Sequence, residues 1–221
     1  MDDKEIEAFF LSRQKDEQNR KLEEYKRRNK FALKGEILFA GSSLMENFPI
    51  GELQMAYPIK KKIYNRGIGG YVLSQFEENL ETLVYELQPS KLFLNIGSND
   101  MNFPEFDIAS WLRNYERVLD KIKKRLPALK IYVMAFYPGN KEVANPFFKN
   151  VLLSRTNQKI AALNKEIETL TKRKNIRFID VNAPLEDKQG NLKASYSIDG
   201  VHFYGDGYAA ILPYLLDYLN Q

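Results

Sequence analysis

The only histidine in the chain, His202, follows a carboxylate, Asp199, by three positions. Imidazole has the unperturbed pKa closest to neutral pH, so it suits proton transfer. A carboxylate that near can hold its tautomer and stabilise the imidazolium. A serine hydroxyl is a weak nucleophile until such a base accepts its proton. Acyl transfer also needs donors aimed at a developing oxyanion. Glycine lets a backbone N–H approach closely, and an asparagine amide supplies a further donor. These residue types recur in three short stretches, Gly41-Ser42-Ser43-Leu44, Asn65 to Gly70 and Gly97-Ser98-Asn99-Asp100. With Asp199 to His202 as a fourth, they could carry out acyl transfer at a serine.

Such groups act together only if the elements around them bring them together. From Gly35 onward, short apolar runs without helical period alternate with helical stretches. The runs Glu36–Ala40, Ile63–Asn65, Lys91–Ile96, Lys130–Phe136 and Arg177–Asp180 read as strands buried on both faces. Helices are predicted over Val72 to Glu86, from an Asp107 cap to about Arg125, over Val151 to Lys174, and over Gly207 to Tyr218. That alternation predicts an α/β fold with a parallel sheet covered on both faces. In such sheets reactive groups gather at the carboxyl ends of the strands. Ser43, Gly70 and Asn99 follow the first three predicted strands, and the Asp199/His202 segment arrives just before the last helix. Residues 1–30 stand apart as a highly charged predicted helix, with Asp2 or Asp3 as its cap and Ile6, Phe9 and Phe10 on one face. It is expected to pack its first turns on the body or to lie across it; an arm for homo-oligomerisation is the other reading. Residues 31–221 show no repeat or linker and are expected to form a single domain.

Composition removes other classes. The chain has 44% hydrophobic and 13% aromatic residues, enough for a sizeable core. It has no cysteine, so thiol nucleophiles, disulfides and cysteine metal sites are excluded, and a zinc site with one histidine would be unusual. The net charge of +4 is mild. The runs Lys60-Lys61-Lys62 and Lys172-Arg173-Lys174 lack the aromatic interleaving of a single-strand binder, so no nucleic-acid partner is expected. No window reaches membrane-spanning length and the start has no signal-peptide core, which predicts a cytoplasmic protein. Met45 stands where the α/β-hydrolase elbow needs glycine. Gly67 to Val72 lacks the third glycine of a dinucleotide fingerprint, and there is no Walker lysine.

The four stretches, in this order, resemble the four blocks of the SGNH (GDSL-like) hydrolases, over roughly residues 35 to 218. The form Asn-Arg-Gly-Ile-Gly-Gly is closest to the branch resembling platelet-activating-factor acetylhydrolase. The resemblance implies a three-layer α/β/α sandwich of flavodoxin-like type with about five parallel strands, and no metal or organic cofactor. It implies Ser43 as nucleophile and backbone oxyanion donor, Gly70 and Asn99 as the remaining oxyanion donors, and Asp199 and His202 as the rest of a triad. Ser42 departs from the family's usual aspartate, and Tyr71 from the usual small or acidic residue.

Tyr71 could line an acyl pocket, and Phe147 and Phe148 could form an acyl-binding lid within the loop 137–150; the bland alternative is that they only pack beneath it. Asp100 and Asp180 read as turn or strand-end hydrogen-bonding residues. The expected activity is hydrolysis of small esters, acetyl or short-acyl, through an acyl-enzyme. The competing expectation is a non-catalytic ligand- or glycan-binding protein that keeps the same fold.

Overall fold

The structure, a computed structural model, describes residues 3–221, apart from the side chains of residues 3, 4, 6 and 7. Its elements in chain order are α1 (Asp3–Asn29), β1 (Ile37–Gly41), α2 (Ser43–Glu46), α3 (Ile50–Ala56), β2 (Ile63–Gly67), α4 (Leu73–Glu78), α5 (Leu80–Leu83), β3 (Lys91–Asn95), α6 (Ile108–Arg125), β4 (Lys130–Met134), α7 (Pro146–Ser154), α8 (Asn157–Arg173), β5 (Arg177–Ile179) and α9 (Gly205–Asn220). The strands form one sheet in the order β2-β1-β3-β4-β5, and every pairing is parallel.

Strands buried on both faces cannot show a polar alternation, and β1 and β3 are buried at every position. Their side chains still sort by parity. Leu38, Ala40, Leu92, Leu94, Ile131 and Val133 enter one core with α4, α5, α6 and α8. Ile37, Phe39, Phe93, Tyr132 and Met134 enter a second core with α2 and α9. The three-layer α/β/α sandwich follows from those two cores.

The strand order places a switch point between β1 and β3, because the chain leaves β1 for β2 on one side and returns to β3 on the other. Register makes their ends level: Gly41 pairs with both Gly67 and Asn95. Gly41 can be nothing else, since a Cβ there would lie 2.0 Å from the Asn95 carbonyl oxygen. The residues leaving β1, β2 and β3 therefore emerge side by side.

Helix boundaries differ from expectation in two places. The single helix expected over 151–174 is two, because Arg155 leaves helical geometry and the Thr156 hydroxyl accepts the Lys159 N–H at 3.2 Å, starting α8 afresh. The first of the two, α7, begins early at Pro146, capped by Asn145. The helix expected over 72–86 breaks at Asn79 and again at Val84. Asp107 caps α6 as expected, accepting the Ser110 N–H at 2.8 Å.

The charged first helix lies across the body, but by its second half. Tyr25 is buried in the core, and Gln18 and Asn29 are buried beside it. Phe9 and Phe10, expected to pack, are exposed, as is Leu11. Asp2 and the side chains of Asp3 and Ile6 lie outside the described residues. No helix among the described residues is long and apolar enough to cross a membrane.

Candidate active site

The chain leaves β1 at Gly41 and Ser43 opens α2, so the Ser43 N–H sits at a helix start with no intrahelical acceptor. No acceptor among the described residues takes it. Two contacts hold α2 in place: the Tyr208 hydroxyl of α9 donates to the Leu44 carbonyl at 2.9 Å, and the Asn65 amide of β2 donates to the Met45 carbonyl at 2.5 Å.

His202 reaches this serine from 159 positions away. Its Nε2 lies 2.8 Å from Ser43 Oγ, and its Nδ1 lies 2.7 Å from Asp199 Oδ2. The other carboxylate oxygen of Asp199 accepts the Val201 and His202 N–H groups at 3.0 and 2.9 Å. That division of labour fixes the carboxylate plane and leaves Oδ2 for the imidazole. Burial pushes the Asp199 carboxyl up, but the hydrogen bonds from the His202 ring and from both backbone N–H groups outweigh it and hold the group below the usual carboxylate range. The turn is gripped from outside by the loop after β4. Asn140 N–H donates to the Gly200 carbonyl at 2.8 Å, and Asn145 N–H to the Asp199 carbonyl at 3.3 Å.

Gly70 and Asn99 arrive on the two neighbouring loops. Ile68 to Tyr71 form a turn closed by a 3.2 Å bond from the Tyr71 N–H to the Ile68 carbonyl, with Gly70 at φ +74°. That left-handed position requires glycine. The Gly70 N–H has no acceptor among the described residues. The loop runs beside the serine: a Cβ built on Gly69 would lie 3.9 Å from Ser43 Cβ. Asn99 uses one amide hydrogen on the Tyr71 carbonyl, at 3.0 Å, and retains a second. The structure thus brings Ser43, Gly70, Asn99, Asp199 and His202 to one edge of the sheet.

The other three predicted positions divide. Tyr71 is 3% exposed and packs in the core beneath the sheet edge, so its side chain offers no surface to a ligand. Its contribution is the carbonyl that orients Asn99. Phe148 lies edge-on to His202, with ring centroids 5.1 Å apart, and packs with Ala144, Leu152 and Val201. Phe147 stacks edge-to-face on Phe148 and is 69% exposed. Neither belongs to a long free loop, because residues 137–140 are buried and both phenylalanines lie in α7, which leaves only the short segment 141–145 outside it.

Sequence reasoning missed Arg155, a 5% exposed guanidinium at the end of α7. Desolvation pulls its pKa down to about 10, while the Asp199 carboxylate pulls it up. It places a buried positive charge within the field of the Asp199–His202 pair. The cue was local: an arginine immediately before the Thr156 cap, in a helix that otherwise read as continuous.

Asp100 ties the loop after β3 to the loop after β2, its carboxylate accepting the Leu73 N–H at 3.0 Å. Burial pushes its pKa up to about 6. A carboxyl that holds its proton more tightly folded than unfolded favours the fold below the unfolded pKa of about 3.9. That contribution is lost as pH rises through about 6. Asp100→Asn keeps an acceptor for Leu73 and removes the titration. Its denaturant midpoint relative to the parent should therefore improve between pH 4 and pH 8; a difference independent of pH would refute the burial argument.

Residues 47–210 match the model of the GDSL-like Lipase/Acylhydrolase family, a match that begins just past Ser43. The chain is 25% identical over 190 residues to N-acylneuraminate cytidylyltransferase of Escherichia coli, covering 84% of this chain and 40% of that protein. It is 25% identical over 193 residues to platelet-activating factor acetylhydrolase IB subunit alpha2 of Rattus norvegicus, covering 84% of this chain and 76% of that protein. A solved structure from Streptococcus pneumonia, described as a platelet activating factor, superposes with a TM-score of 0.88 at 29% identity, covering 99% of this chain and all of the other.

Proposed function

Because the chain belongs to the GDSL-like lipase/acylhydrolase family, we propose that it is a carboxylic ester hydrolase working through an acyl-enzyme on Ser43. The observation that carries this reading is the unbroken line from Ser43 Oγ to His202 Nε2 at 2.8 Å and from His202 Nδ1 to Asp199 Oδ2 at 2.7 Å. A serine so connected passes its proton to Nε2 as Oγ bonds to the ester carbonyl carbon, and the imidazolium is stabilised by Asp199. The carbonyl oxygen becomes an oxyanion that takes the Ser43 N–H, the Gly70 N–H and the second amide hydrogen of Asn99. Collapse of the intermediate breaks the bond to the leaving alcohol, which takes the proton from Nε2. Water then repeats the sequence on the acyl-serine, releases the carboxylic acid and restores the serine.

The acyl group we assign is acetyl or another short chain. Supporting this are the name of the rat relative, an acetylhydrolase, and the ring of Phe148 standing edge-on to His202. Phe148, with Phe147 beyond it, would then supply the apolar contact to the ester.

A chain-length series of p-nitrophenyl esters tests both parts. Hydrolysis should be fastest for acetate and fall with each added pair of methylenes, and a fluorophosphonate should label the protein stoichiometrically. No labelling and no turnover of any ester in the series would instead favour a ligand-binding role for the same cleft.

A further inference from the structure

α1 reaches the active-site edge, and the contacts it makes there are polar. Gln14, Gln18, Lys21, Tyr25 and Asn29 recur at helical spacing, so they share one face of the helix. That face lies on the loop leaving β2. Tyr25 donates its hydroxyl to the Gly67 carbonyl at 2.7 Å, and Gln18 donates its amide to the Gly69 carbonyl at 2.8 Å. Lys21 pairs with Glu46, whose carboxylate in turn accepts the Gly69 N–H. Gln18 is itself held: the Gln75 amide donates to its Oε1 at 3.2 Å, and Gln75 Oε1 accepts the Val72 N–H at 3.1 Å. A glutamine only 8% exposed, with both ends of its amide engaged, has one available orientation.

The Gly69 carbonyl and the Gly70 N–H belong to one peptide unit. That unit is planar and trans, so its C=O and N–H point in opposite directions. Holding the oxygen therefore aims the hydrogen. Glycine on both sides of the unit leaves its rotation almost unopposed by side-chain sterics, so the aim has to come from outside the loop. A donor on the carbonyl also polarises the peptide and strengthens its N–H as a donor.

We propose that Gln18 is a positioning residue of the oxyanion hole, acting through the Gly69–Gly70 peptide, and that α1 is thereby part of the catalytic apparatus. The inference rests on the esterase reading above, in which the Gly70 N–H meets the oxyanion. α1 also closes over Gly70 itself: a Cβ built there would lie 2.0 Å from Gln14 Nε2, the tip of an exposed side chain that would have to move aside.

The test uses the full chain with Gln18→Ala and Gln18→Glu, assayed at pH 8 on p-nitrophenyl acetate and with phenylboronic acid, whose serine adduct is a tetrahedral anion. Loss of a whole oxyanion donor costs about 10²–10³ in kcat. A donor that is still present but no longer aimed should cost about tenfold. We expect kcat to fall by about that factor with KM moved less than twofold, and the boronate inhibition constant to rise in parallel. Gln18→Glu keeps the size but presents a carboxylate to the Gly69 oxygen, so its loss should be at least as large; should Gln18→Ala fail to fold, Gln18→Glu carries the test. Variants within twofold of an active parent would overturn the role of Gln18 alone, as would a loss confined to KM or one without weaker boronate binding. A parent with no Ser43-dependent turnover would overturn the esterase reading, and the role of Gln18 with it.

Discussion

Ser43→Ala is expected to lower kcat for p-nitrophenyl acetate on the order of 10⁶-fold, to background for most assays, and to abolish fluorophosphonate labelling. The size follows from the role proposed for the hydroxyl, the atom that would form the acyl bond; among the described residues no other group hydrogen-bonds Nε2 of the only imidazole in the chain. The fold should survive. The serine hydroxyl contacts His202 alone among the described residues, and α2 is held by Tyr208 and Asn65 through main-chain carbonyls that the substitution leaves in place. Loss of such a group should change stability by no more than about 0.5 kcal/mol. A further His202→Ala change should then add almost nothing, because base and nucleophile act as a unit. Retention of even a hundredth of the parent activity by Ser43→Ala, at unchanged melting temperature, would place the chemistry elsewhere.

The reach of the sequence can be read from the same residues. Ser43, Asn99, Asp199 and His202 are legible as candidates because few residue types can be nucleophile, amide donor, orienting carboxylate or base, and because Ser43 and Asn99 follow apolar runs that end abruptly while Asp199 and His202 stand just ahead of the last helix. The sheet is legible for a related reason: five runs of β-rich apolar residues at these separations have few alternatives to parallel pairing. What escapes is work done by main-chain atoms and polar faces. The Tyr71 carbonyl orients Asn99 and the Gly69 carbonyl takes Gln18, yet a carbonyl has no residue identity to read. The face of α1 that matters is Gln, Lys, Tyr and Asn, so a search for apolar periodicity finds only Leu22 and Tyr25 there. It assigns the packing instead to Phe9 and Phe10, which are exposed. Tyr71 misleads in the opposite direction: beside a glycine of the site it looks like a pocket wall, but the turn that exposes the Gly70 N–H sends the next side chain inward.

Asp199→Asn is the second large effect expected, a loss of about 10⁴-fold in kcat with the fold intact. The asparagine oxygen can keep the two bonds that Asp199 Oδ1 accepts from the Val201 and His202 N–H groups, so the turn holds its shape. The amide nitrogen then replaces Oδ2 opposite His202 Nδ1. Two donors cannot face each other, so the imidazole places its hydrogen on Nε2, which faces Ser43 and can no longer accept a proton. In the parent, kcat/KM should rise with pH if His202 is the base, because only the neutral ring can accept the serine proton. Asp100 complicates that limb, since burial pushes its carboxyl up to about 6. Asp100→Asn separates the two: it removes the second titration and leaves the first, so a rising limb that persists in Asp100→Asn reports His202. The acid limb should therefore persist in Asp100→Asn, less any part owed to Asp100, while Asp199→Asn should be slow at every pH from 5 to 8. A flat profile in the parent, or an Asp199→Asn variant within tenfold of it, would remove His202 from the role of base.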